Sequence, residues 1–231
     1  MALGPNVFGP NRVGLWSISN ASLADKLRHV LPRARTVIPN LTDIFLPLDA
    51  TMAAKDVVRQ NNMYAHLYCV VHETPADVLA KQALAVRRAL GTGAIEVDLE
   101  GAAVQPDKPA LAAYARLFVQ TVRKTNPNLD VRLNVPPYKG YALPIDLIVA
   151  DPHLFVIAQA YYGNMDGRLS EADVLCDLLD YGVPRSKAKI HYAVMANSPR
   201  TFVLPGASYK PITEGSVYDD DLLIDSGRLP A

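Results

Sequence analysis

Apolar and polar residues alternate with a period of two in short runs along this chain. Between those runs, apolar residues recur at three- and four-residue spacing. The first pattern is that of a strand and the second that of a helix with one buried face. Strand-like runs lie at Val13–Ile18, Asp43–Leu48, Tyr64–Val71, Ala94–Leu99, Val131–Val135, Leu154–Ala160, Lys189–Met195 and Ser216–Ile224. Helical patterns with start signals fall between them. Ser22 precedes Leu23, Leu27, Val30 and Leu31. Thr74-Pro75 opens a helix with Val78, Leu79, Val86 and Leu90 on one face, closed by Gly91 and Gly93. Pro109 opens another that carries Leu111, Ala115, Phe118 and Val122. Ser170 with Asp173 forms a capping-box pattern ahead of Val174, Leu175, Leu178 and Leu179, and Gly182-Val183-Pro184 ends that helix.

The repeat is about 25–35 residues, the length of a βα unit. Eight such strands in 231 residues predict an α/β fold, a single (β/α)8 TIM-type barrel domain spanning residues 1–231. A doubly wound open sheet is the alternative. It lacks its usual mark, because Gly91-Thr92-Gly93 precedes a strand and no Gly-x-Gly-x-x-Gly follows the first one. The stretch from Asn197 to Gly215 is rich in Pro, Ser and Gly and reads as loop, and Ser216–Ile224 leaves no room for a closing helix. The expected barrel is therefore trimmed of its last helix. The flank near Leu222, Leu223 and Ile224 is expected to be covered by another copy or a larger assembly.

Composition narrows the function classes. Half of the residues are hydrophobic, enough for a sizeable core, and Lys+Arg and Asp+Glu balance at 23 each. No basic surface points to nucleic acid or an anionic membrane. No apolar run reaches the roughly 18–20 residues of a membrane span, and the N-terminus has no signal-peptide pattern. The expectation is a soluble protein made in a cytoplasm, with virion association as one place of action. Cys69 and Cys176 read as buried free thiols. His66 and His72 lack a third ligand at metal-like spacing, so no metal or other cofactor is expected.

In a barrel the site gathers at the C-terminal strand ends. Those ends carry Trp16, Asp49, His66, Tyr68, Asn134, Tyr138, Gln159, Tyr161, His191 and Tyr218. Carboxylates, amides and aromatics dominate there, and cations are nearly absent. Sugar hydroxyls suit Asp, Asn and Gln, and sugar C–H faces stack on Trp and Tyr. The fourth strand is the most informative. It places Glu96, Asp98 and Glu100 on one face and Ile95, Val97 and Leu99 on the other. Like charges that close raise one another's pKa, which suits an acid/base site. The plainer alternatives are an edge strand with a solvated acidic face, or an acid such as Glu100 paired with a buried cation such as Arg132.

Glu96-x-Asp98-x-Glu100 resembles the strand-four Asp-x-x-Asp-x-Asp-x-Glu motif of chitinase-like glycoside hydrolases, and the Asp-x-Glu of lysozyme-type muramidase barrels. Ala158-Gln159-Ala160-Tyr161 is similar to the strand-six segment in which a Tyr faces the sugar. Compact barrels of this kind also resemble glycosidase-like modules of bacteriophage tail and lysis proteins. The resemblance implies hydrolysis of an N-acetylhexosamine-containing glycan of a cell wall or surface. Glu100 would be the general acid and Asp98 its orienting neighbour. Tyr161 and Gln159 would hold the sugar or its N-acetyl group, with Glu96, Trp16, Asp49, Asn134 and Tyr138 lining the substrate site. Three positions depart from the motifs. Gly93 stands at the outermost Asp, Tyr68-Cys69-Val70 replaces a Ser-Gly-Gly, and Tyr161-Tyr162 replaces a Tyr-Asp pair. With the missing last helix, these favour the alternative of a catalytically inactive barrel that serves as a carbohydrate-binding or structural module, such as a phage tail component. A metabolic aldolase barrel is a third reading, weakened because Lys189 lies at a strand start.

Overall fold

Every β-strand pairs in parallel with its successor in the chain, and the first also pairs with the last. The computed structural model describes residues 13–16, 22–37, 41–48, 50–71, 76–90, 94–99, 108–135, 143–162, 178–194 and 216–219. In chain order the elements are β1 (Val13–Trp16), α1 (Leu23–Val37), β2 (Leu41–Pro47), α2 (Met52–Gln60), β3 (Tyr64–Val71), α3 (Ala76–Leu90) and β4 (Ile95–Leu99). Then follow α4 (Lys108–Thr125), β5 (Val131–Val135), α5 (Ile145–Ala150), β6 (Leu154–Tyr162), β7 (Ala188–Val194) and β8 (Ser216–Asp219). Val13–Trp16 pairs with Leu41–Phe45 on one side and with Ser216–Asp219 on the other, so the sheet closes in the order β1 to β8. Closure removes the sheet edges and rules out the open doubly wound alternative. It also overturns the edge-strand reading of β4, which is hydrogen-bonded to β3 and to β5.

Two buried layers result from strand alternation. Positions of one parity meet the helices: Ile44 and Leu46 on β2, Leu67 and Cys69 on β3, Ile95 and Val97 on β4, Val131, Leu133 and Val135 on β5, and Leu154 and Val156 on β6. They pack with Leu27, Val30 and Leu31 of α1, Val57 and Val58 of α2, Ala80 and Ala83 of α3, and Phe118, Val119 and Val122 of α4 in one cluster. Each fully buried Val, Leu or Phe in this layer contributes about 1.5–3 kcal/mol. The helical faces expected from Leu23, Leu27, Val30 and Leu31, and from Ala115, Phe118 and Val122, are buried. Positions of the other parity lie inside the barrel.

Two helices escape the sequence pattern. In α2 the helical spacing is confined to Ala54, Val57 and Val58; the helix is started by Thr51, whose hydroxyl accepts from the Ala54 N–H at 3.3 Å. The six residues of α5 are too few for a periodicity to show. The expected Gly182 stop is present. Gly182 takes φ +86°, and its N–H and that of Val183 bond back to Leu179 and Leu178. The expected helix from Ser170, the loop after strand seven, Cys176 and the trimmed flank at Leu222–Ile224 lie outside the described residues. No helix among the described residues is long and apolar enough to cross a membrane.

At the N-terminal ends of β5, β6 and β7, one carboxylate organises the connections. Asp151 takes a two-pronged contact from Arg123 of α4, Nε to Oδ2 at 2.6 Å and Nη2 to Oδ1 at 3.1 Å, and accepts the His153 N–H at 2.8 Å. The same guanidinium donates to the Leu129 carbonyl at 2.6 Å, and Lys187 Nζ donates to the Asp151 carbonyl at 2.6 Å. Burial pushes the Lys187 ammonium below the ordinary lysine range, against the pull of Asp151 and Asp130. Its Nζ sits 5.0 Å from the centre of the Phe155 ring. Asp151→Ala leaves Arg123 without its anion and should lower stability by on the order of 3 kcal/mol in urea denaturation. Asp146→Ala, which removes an exposed partner of Arg116, should leave the midpoint unchanged within error.

Candidate functional site

The barrel interior is polar where an apolar filling is usual. Asp43 of β2, His66 of β3, Glu96 of β4 and Arg132 and Asn134 of β5 are all buried, on strand positions that alternate with the helix-facing ones. Phe45, Tyr68 and Ile157 are the buried apolar and aromatic residues among them.

Each polar group is placed by register. Glu96 stands directly opposite Arg132 on the neighbouring strand. Arg132 Nη1 lies 3.4 Å from Glu96 Oε1, with side chains 2 % and 0 % exposed. Arg132 is among the largest fully buried side chains of the protein. Its guanidinium cannot lose its proton, so it requires an anion, and Glu96 supplies it. On the next strand pair, His66 Nε2 lies 2.8 Å from Asp43 Oδ1, both side chains wholly buried. With the carboxylate ionised, this nitrogen carries the proton. Thr42 Oγ1 donates to the other oxygen of Asp43 at 2.6 Å. The imidazole stacks on Phe45, ring centres 4.8 Å apart and planes 20° apart. Cys69, a buried free thiol as expected, points its Sγ at the Glu96 carbonyl at 3.8 Å.

The sequence-predicted residues distribute as follows. Asn134 is 1 % exposed, and its Oδ1 has no hydrogen-bond partner. Glu96 is inside the barrel, not on a solvated face. Asp98 lies two residues further along β4, in register with Asn134. Gln159 and Tyr161 stand on β6 in register with His191 and Ala193 of β7. Trp16 is the last residue of β1, between Phe45 of β2 and Asp219 of β8. Only the backbone is described for Asp98, Gln159, Tyr161 and Trp16, while Glu100, Asp49 and Tyr138 lie outside the described residues. Arg132 is a buried cation, and Glu96 is an acid that it meets. Sequence reasoning missed the Asp43–His66 contact. Its only trace was a polar residue at an otherwise apolar strand position on each of two neighbouring runs. Among the described residues, no group of three His, Cys, Asp or Glu side chains forms a metal site.

No protein-family model matches the chain, and no curated protein matches it in sequence. Solved structures do match in fold. A family GH18 chitinase from Flavobacterium johnsoniae superposes with a TM-score of 0.51 at 13% identity, over 80% of this chain and 68% of that one. A family GH18 chitinase from Cycas revoluta, in complex with allosamidin, gives 0.51 at 14% identity over the same shares. A structure assigned as a deoxyribose-phosphate aldolase of Toxoplasma gondii gives 0.55 at 12% identity, over 94% of this chain and 91% of that one. The fold is thus a TIM-type barrel, shared with these structures. At these identities it is the fold that is shared.

Chemically, the interior holds two pairs of opposite character. One is an ion pair, Glu96–Arg132; the other, Asp43–His66, joins a carboxylate to an imidazole. Replacing Glu96 with Leu strands the Arg132 cation and should cost about 3–5 kcal/mol. The double change Glu96→Leu with Arg132→Met should recover most of that loss. Urea denaturation of the two single variants and the double variant measures the coupling; strictly additive losses would contradict a functional pair.

Proposed function

We propose that the chain is a glycoside hydrolase acting on an N-acetylhexosamine-containing glycan of a cell wall or cell surface. One observation carries the reading. Glu96, the first acid of the Glu96-x-Asp98-x-Glu100 run, occupies the barrel interior. The acid-bearing positions of β4 therefore share the interior parity, and they ascend toward the C-terminal end of the strand, where barrel enzymes hold their chemistry. The shared fold of the family GH18 chitinases supports the class. In this reading Glu100 donates the proton to the leaving oxygen, and Asp98 beside it favours the protonated form and orients it. Tyr161 and Gln159 hold the sugar and its acetamido group, and Trp16, Asp49, Asn134 and Tyr138 line the cleft. Glu96 acts from below through Arg132.

The second reading is an inactive carbohydrate-binding or structural barrel. The motif departures at Gly93, Tyr68-Cys69-Val70 and Tyr161-Tyr162 favour it. Glu100→Gln separates the two. It should lower release of reducing sugar from cell-wall glycan by at least ~10²-fold, because a positioned acid contributes that much. Affinity for N-acetylglucosamine oligomers should stay nearly intact, since Gln keeps the size of Glu. A wild type that binds oligomers and hydrolyses none establishes the second reading. An active enzyme indifferent to Glu100→Gln would refute the assigned acid.

A further inference from the structure

Asn134 carries a buried acceptor in the barrel interior that is unanswered. Its Oδ1 has no hydrogen-bond partner, although the residue is 1 % exposed. Leaving such a group unbonded costs about 1–3 kcal/mol. The absence is notable because a rich donor is close at hand. Arg132 lies two residues back on the same strand, at the same parity, with five N–H groups. Arg132 is directed to Glu96 instead, at 3.4 Å. On the other flank Asn134 stands in register with Ile157, whose side chain offers no donor, and on the near flank with Asp98, an acid.

We propose that Asn134 Oδ1 is the acceptor for an N–H or O–H donor of the bound sugar, and that the Glu96–Arg132 pair keeps it available by holding the Arg132 guanidinium on Glu96. The inference rests on the glycan reading above and deepens it. It makes Asn134 a residue that reads a donor on the substrate, and makes Glu96 and Arg132 positioning residues beneath it. A site built to accept from a substrate donor discriminates against analogues that lack it, because its own buried acceptor is then left unpaired.

The test uses the full chain with Asn134→Leu, which keeps the approximate volume and deletes the amide, and Asn134→Ala, which deletes it without bulk. Isothermal titration calorimetry with the N-acetylglucosamine tetramer gives the affinity, and thermal unfolding without sugar gives Tm. Loss of one substrate hydrogen bond predicts affinity weaker by roughly three- to tenfold in both variants. Removal of an unanswered buried acceptor predicts a Tm for Asn134→Leu that is unchanged, or higher by about 2–4 °C. Unchanged affinity in both variants overturns the inference and leaves the glycan reading standing. A folded Asn134→Leu that loses several degrees also overturns it, since the acceptor would then be bonded within the fold. If Asn134→Leu does not fold, the affinity of Asn134→Ala decides alone. A wild type that binds no tetramer sinks the glycan reading, and this inference with it.

Discussion

A guanidinium enclosed by a closed barrel is the constraint around which this interior is organised. Arg132 brings a guanidinium charge into the interior. Glu96 stands opposite it, in register, on the adjacent strand, and supplies a counter-charge. A one-residue slip of β4 against β5 would turn Glu96 toward the helices and bring Ile95 or Val97 into the barrel. The pair balances charge at this register and joins the strand that carries the candidate acids to its neighbour.

The helix-facing layer has a different logic. There the side chains are Val, Leu, Ile, Ala and Phe, joined in one cluster between the strands and α1 to α4. Burial of that layer supplies most of the driving force for folding. The interior layer stabilises less, because each polar group in it must be satisfied before it contributes anything. A barrel that retains Asp43, His66, Glu96, Arg132 and Asn134 inside forgoes the tighter apolar filling that the fold allows. Such departures from local consistency are where function is to be sought.

The two ends of the barrel divide the work. At the N-terminal strand ends, Asp151 gathers Arg123, His153 and Lys187 into one network that ties α4 to the entries of β6 and β7. Toward the C-terminal ends, the described interior shows the unanswered acceptor of Asn134 beside the Asp98 position. Barrel sites are generally placed at the C-terminal face.

The alternation of strands and helices was legible in the sequence, because both periodicities are local and survive in a window of a dozen residues. The faces of α1 and α4 and the apolar parity of β4 followed from the same rule. So did the Gly182 stop, which reflects the backbone freedom of a single residue. The six-residue α5 carried too little pattern to be seen, and α2 carried one turn of helical spacing, Ala54, Val57 and Val58, that was passed over. What only the tertiary structure decided was which parity lies inside and which partners meet there. Glu96 and Arg132 are 36 residues apart in the chain, and Asp43 and His66 are 23 apart. Their pairing depends on register between strands, and register is fixed by closure of the whole sheet. No local window contains that information. The sequence therefore identified the acids of β4 as chemically unusual, and the barrel decided that the first of them is a counter-ion.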